Sequence, residues 1–278
     1  MAEGRIEAGS TQGRPRRRDT LLLRIMSAAA LAPLALSASW AGGPAFAALI
    51  AFLCVLMSFE WARMVERKET SMVFYVLGAA SAAALTLAAA GHYLLAYGAA
   101  AAGAAGAFLG AARDRGWAAF GAAFFIAPAI ALLWLREGGE QGAALTLLLF
   151  AIVWGADTGG YVGGRLVGGP KLSPSISPAK TWAGAAGGMA LGGIAAAALA
   201  PALLGWPTSL SFAAGAGLGL ASIVGDMAES AVKRRFGIKD TSGFIPGHGG
   251  VLDRLDGMIF ATSAMTAALY AHSLSRGG

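Results

Sequence analysis

Residues 72–90 read MVFYVLGAASAAALTLAAA, a run without a single charged side chain. Wound as a helix at about 1.5 Å per residue, it is long enough to cross a hydrocarbon core of roughly 30 Å. Comparable apolar runs repeat along the chain between short charged islands, and they predict spans near 21–40, 44–62, 72–90, 93–112, 117–135, 143–162, 182–204, 209–231 and 256–274. The expected fold class is therefore an all-α integral membrane protein of about nine transmembrane helices. Composition agrees: of 278 residues 56% are hydrophobic and 13% charged, with a mean hydropathy of +0.63. Soluble domains balance about 45–50% apolar against 25% charged residues, because their surface must be covered. Glycine and alanine are heavily used inside the runs, which suits close helix contact in lipid.

The net charge of +6 does not point to nucleic acid, because the basic residues sit in the islands between runs rather than on one soluble face. Arg5, Arg14, Arg16, Arg17 and Arg18 precede the first span. Arg63, Arg67 and Lys68, then Arg113 and Arg115, then Arg165, Lys171 and Lys180, then Lys233, Arg234, Arg235, Lys239 and Arg254 occupy alternate loops. Only Arg136 and Arg276 fall on the other side. Lysine and arginine are retained in the cytoplasm, so the amino terminus and the two longest loops are expected there and the carboxyl terminus outside. Residues 1–19 read as a disordered basic tail, and residues 20–278 as one polytopic membrane domain with loops 157–182 and 226–256. A cleaved signal peptide is the rival reading of the first span, but the run is long for one. Cys54 is the single cysteine, which excludes an intrachain disulfide framework, a thiol pair and a cysteine zinc site.

Chemistry is expected where the bilayer should exclude charge. Asp157, Asp226 and Glu229 lie within or at the end of apolar runs, where an aspartate costs about 2.5–3.5 kcal/mol or more. Asp226 and Glu229 are three apart and share a helix face. Residues 230–256 read SAVKRRFGIKDTSGFIPGHGGVLDRLD, concentrating Lys233, Arg234, Lys239, Asp240, His248, Gly249, Gly250, Asp253, Arg254 and Asp256. Glycine lets backbone amides approach phosphate oxygens, lysine and arginine neutralise them, and aspartates hold a hard divalent cation. The spacing of Asp253 and Asp256 repeats that of Asp226 and Glu229, so two helix ends could offer carboxylates to one metal centre. The island DTGGYVGGRLVGGPKLSPSISPAKTW, residues 157–182, adds Asp157, Ser177, Lys180 and Thr181, and contains no Walker A loop.

The run formed by Ser230, Val232, Lys233, Arg234, Lys239, Asp240, Ser242, Ile245, Pro246, His248, Gly249, Gly250, Asp253, Arg254 and Asp256 resembles the signature of the phosphatidate cytidylyltransferases, the CDP-diacylglycerol synthases. The upstream island is similar to the family's at Ser177, Pro178, Lys180, Thr181 and Trp182, and departs from it at Ala179 and Ala183. The resemblance implies condensation of CTP with phosphatidic acid to CDP-diacylglycerol and pyrophosphate. It implies a multi-pass protein of the inner cell membrane, with membrane lipids around it and a site open to the cytoplasm and laterally to lipid. It further implies a homodimer, and Mg2+ on Asp226, Asp253 and Asp256, with room for a second ion. In that reading Lys233, Arg234, Lys239, Asp240, His248 and Arg254 serve catalysis, while Asp157, Ser177, Lys180, Thr181, Gly249 and Gly250 bind substrate. A CTP-dependent lipid-alcohol kinase, a CDP-alcohol phosphotransferase and an ion-coupled transporter are the rivals, and none of them needs the whole 230–256 pattern.

Overall fold

A computed structural model describes residues 17–245 and 249–276. Most of the expected tail at 1–19 lies outside these residues, as does His248. Apart from one hairpin and the connecting loops, the described residues are helical. Helices α1 (Arg17–Ala41), α2 (Gly43–Glu66), α3 (Met72–Ala89) and α4 (Tyr93–Gly110) come first. Next, α5 (Arg115–Gly121) runs through a π-helical turn at Ala122–Ile126 into α6 (Ala127–Glu137). Helix α7 (Gly142–Leu166) leads to strands β1 (Lys171–Ser173) and β2 (Ser177–Thr181), then to α8 (Trp182–Leu204), α9 (Thr208–Arg235) and α10 (Leu252–Arg276). The π turn ends two residues before Pro128, whose ring and missing N–H disturb the helix ladder one turn upstream.

Seven helical stretches are long and apolar enough to cross a membrane: α2, α3, α4, Arg115–Glu137, α7, α8 and α9. Helices satisfy their own backbone polar groups, which a lipid environment demands. The described apolar part of α1, Ala29–Ala41, is shorter. Helix α10 occupies the ninth expected run, diluted by Thr262, Ser263, Thr266, His272 and Ser273.

Two packing regimes build the molecule. Around α2, large side chains interlock: Phe46, Trp61, Leu77, Phe125, Ile130 and Leu133 are fully buried. The indole of Trp61 donates to the carbonyl of Trp117 at 2.9 Å. Where α7, α8 and α9 meet, backbones touch instead. A Cβ on Gly159 would lie 2.1 Å from the carbonyl oxygen of Gly187, and one on Gly187 2.5 Å from that of Gly159. This approach carries Asp157 of α7 against α8, and hence towards Asp226 of α9. Gly159→Ala is expected to wedge α7 from α8 at a cost of about 1–3 kcal/mol. The measurement is thermal unfolding in detergent beside Gly98→Ala, a site with open space around it; equal midpoints for the two variants would contradict the packing.

Candidate active site

The carboxyl-terminal half of α7, the hairpin, α8, α9 and the first turns of α10 enclose a cavity of about 630 Å³. Each wall is set by a local feature. Antiparallel pairing of Lys171 with Thr181 and Ser173 with Ser177 forms the hairpin. Thr181 then ends the strand and caps α8, its extended backbone letting Oγ1 accept from the Gly184 amide at 3.0 Å. That cap fixes Lys180 beside the helix start. Thr181→Ala should lower stability by about 1 kcal/mol, with Thr181→Ser retaining most of it; matching unfolding midpoints for the two would contradict the cap. On the opposite wall, α9 and α10 cross so closely that a Cβ on Gly225 would lie 2.5 Å from the carbonyl oxygen of Asp256. The crossing brings Asp226 and Asp256 to one face of the cavity.

Most of the expected residues converge. Asp157, Lys180, Thr181 and Asp226 line the cavity, as do Lys233, Asp240, Asp253, Arg254 and Asp256. Arg165 joins them, so five carboxylates face four cations. Such a wall can neutralise phosphate oxygens and still offer oxygen ligands to a cation.

The ion pairs order this wall. Lys180 Nζ lies 2.5 Å from Asp226 Oδ2, joining the hairpin to α9. Lys233 Nζ sits between Glu229 Oε2 at 2.6 Å and Asp253 Oδ1 at 2.8 Å. Glu229 is buried and bridges along its own helix to Lys233, whereas Asp226 opens onto the cavity. The other oxygen of Asp253 accepts the amides of Gly250 at 2.8 Å and Thr241 at 3.1 Å. Burial alone would raise the Asp253 carboxyl, but the hydrogen bond and charge of Lys233, with the Gly250 amide, outweigh it and hold it below the ordinary carboxylate value.

Other expected residues stand off the cavity wall. Ser177 lies in the hairpin. Arg234 donates to the carbonyls of Ile176 and Ile238, both at 3.2 Å, fastening the hairpin turn to the end of α9. Lys239 is exposed in the following loop. Gly249 and Gly250 shape that loop: at Gly250 a Cβ would fall 2.0 Å from Thr241 Oγ1 and 2.6 Å from Glu60 Oε1.

Among the described residues, no group of three acidic, histidine or cysteine side chains converges tightly enough to enclose a metal ion. The donor set nevertheless suits Mg2+, which binds through one or two carboxylates and completes its octahedron with water and substrate phosphates. Asp226 and Asp256 supply carboxylates at the α9–α10 crossing. Asp253 has only Oδ1 to contribute, and that atom pairs with Lys233.

Glu60 belongs to the site's support and was not among the expected residues. It lies in α2 with no exposed surface and reaches the loop after α9. An acid inside the otherwise uncharged run 44–62 was the available signal, by the same cost argument that singled out Asp157 and Asp226.

Comparison with known proteins gives a consistent result. The model of the cytidylyltransferase family matches residues 22–272. The phosphatidate cytidylyltransferase of Brucella suis biovar 1 is 37% identical over 251 residues, covering 88% of this chain and 92% of its own. That of Pseudomonas aeruginosa is 42% identical over 129 residues, 46% of this chain and 48% of its own. The uncharacterized protein YnbB of Escherichia coli K12 is 36% identical over 172 residues, 62% of this chain and 58% of its own.

Proposed function

The chain belongs to the cytidylyltransferase family, and from that premise we propose that it condenses CTP with phosphatidic acid, giving CDP-diacylglycerol and pyrophosphate for phospholipid synthesis. The observation that carries this reading is the single cavity on which loops 157–182 and 226–256 converge with five carboxylates and four cations. A phosphate oxygen of phosphatidic acid attacks the α-phosphorus of CTP in line. The bond to the β-phosphate breaks, and its electron pair leaves with pyrophosphate. Little covalent chemistry is asked of the protein, so positioning and charge neutralisation dominate.

Lys180, Lys233 and Arg254 offset the charge of triphosphate and lipid phosphate, with Arg165 at the cavity edge. Thr181 and Asp157 border the substrates, and Asp240 closes the cavity at the loop side. Arg234 and Ser177 act through the hairpin they help to hold, and Gly249 and Gly250 through the loop they shape. Exposed Lys239 meets the triphosphate from solution, and His248 orients a phosphate. Asp226 and Asp256 would hold Mg2+, with Asp253 able to add Oδ1. When bound, such an ion would supply charge neutralisation for phosphate oxygens, and a second ion would fit the same chemistry.

The basic loops support nine spans with a cytoplasmic amino terminus, an external carboxyl terminus and a cytoplasmic site in the inner membrane. The family resemblance supports a homodimer, with membrane lipids as its surroundings and no nucleic-acid partner. Inverted membrane vesicles supplied with CTP and Mg2+ should release pyrophosphate, and chelation should stop it. Right-side-out vesicles should release none until permeabilised. Equal release from both orientations before permeabilisation would contradict the topology.

A further inference from the structure

We propose that Glu60 of α2 is a positioning residue for the reaction read above, fixing the backbone that presents Asp253 to the cavity. Its two carboxylate oxygens accept four hydrogen bonds from one loop. Thr241 Oγ1 donates at 3.1 Å, the amides of Val251 and Leu252 each donate at 2.8 Å, and the hydroxyl of Ser242 donates as well. These partners lie 181 to 192 residues away in sequence. The same short backbone is held from its other side by Asp253, whose Oδ2 takes the Thr241 and Gly250 amides. Thr241 therefore bonds Glu60 with its side chain and Asp253 with its backbone. Val251 and Leu252 open α10, where amides have no partner within the helix and an acid complements the helix dipole.

A buried acid in a membrane-crossing helix needs a compensating set of donors, and this loop supplies it. With both oxygens occupied, Glu60 has no role on substrate and acts through Asp253. Contact is tight: Gly250 has no room for a Cβ between Thr241 and Glu60.

The test uses full-length Glu60→Gln protein in detergent. Glutamine keeps the size but turns an amide NH2 towards backbone or hydroxyl donors. Amide hydrogen exchange should rise roughly tenfold or more in peptides covering 241–245 and 249–252, as expected when hydrogen bonds to a charged group are lost. Peptides of α3 and α8 should be unchanged. Turnover should fall on the order of 100-fold, in kcat and kcat/KM alike, because misplacement acts on the transition state. Wild-type exchange or wild-type turnover in this variant would overturn the proposal. If Glu60→Gln fails to fold, the Thr241→Val, Ser242→Ala double variant decides. It leaves Glu60 in place, and local exchange should rise with turnover roughly tenfold down; full turnover would reduce Glu60 to an anchor of the fold. A wild-type protein with no CTP-dependent turnover would remove the proposed reaction, while exchange would still report whether Glu60 fixes the loop.

Discussion

Asp253→Asn protein should turn over on the order of 10²–10³-fold more slowly than wild type while eluting from a sizing column as wild type does. The expectation rests on the saturation of this carboxylate. One oxygen accepts two backbone amides, at 2.8 and 3.1 Å, and the other accepts Lys233 at 2.8 Å. Asparagine has only one oxygen, so either orientation of its amide points a donor at a donor. Charge is lost as well, which frees Lys233 to lean on Glu229 and leaves the cavity wall. A hydrogen bond to a charged group contributes about 1.5–3 kcal/mol, so some stability goes too, but the fold has other supports. Steady-state pyrophosphate release measures the loss. Wild-type turnover would remove Asp253 from the site.

Lys233→Met should act on stability first. Lys233 lies between two carboxylates that are almost completely buried, with 1% and 4% of their side-chain surface exposed. Removing the cation strips Glu229 of its ion pair and takes one of three hydrogen bonds from Asp253, and breaking such a buried pair costs about 3–5 kcal/mol. The single variant should therefore unfold at much lower temperature in detergent. Adding Glu229→Gln removes one of the stranded charges and should restore part of that loss, a coupling that a double-mutant cycle reads directly. Activity should not return with stability, because the cavity still lacks one of its four cations. Additive effects on the unfolding midpoint, or turnover recovered in the double variant, would contradict the two roles assigned to Lys233.

Much of the fold was legible because lipid imposes a simple rule on sequence. The run 72–90 became α3, Met72–Ala89, and the run 182–204 became α8, Trp182–Leu204. Helix α9 extends beyond its expected end at residue 231, to Arg235, because Lys233, Arg234 and Arg235 continue a helix whose carboxyl end favours cations. The π turn at Ala122–Ile126 and the hairpin were not expected. Both depend on local backbone demands, Pro128 in one case and the pairing of Lys171 with Thr181 and Ser173 with Ser177 in the other, which an apolar count does not register.

The site was legible where cost marked it. Acids and cations placed at membrane depth or crowded into two loops do line one cavity, from Asp157 to Asp256. What sequence could not separate was contact with the cavity from support of its wall. Arg234, Gly249 and Gly250 look like phosphate ligands in a linear reading, yet their visible partners are the hairpin turn, Asp253 and Glu60. Glu60 shows the converse. Its nearest functional neighbours lie far down the chain, and only folding brings α2 beneath the loop.

Transfer of a cytidylyl group to phosphatidic acid can be followed by the position of an isotope. Purified protein in mixed micelles with Mg2+ and phosphatidic acid would receive CTP labelled at the α-phosphate in one reaction and at the γ-phosphate in a parallel one. Cytidylyl transfer should place α-label in the lipid phase, equimolar with released pyrophosphate, and γ-label only in pyrophosphate. Label from the γ-phosphate entering lipid, with CDP as the other product, would contradict it and establish a kinase.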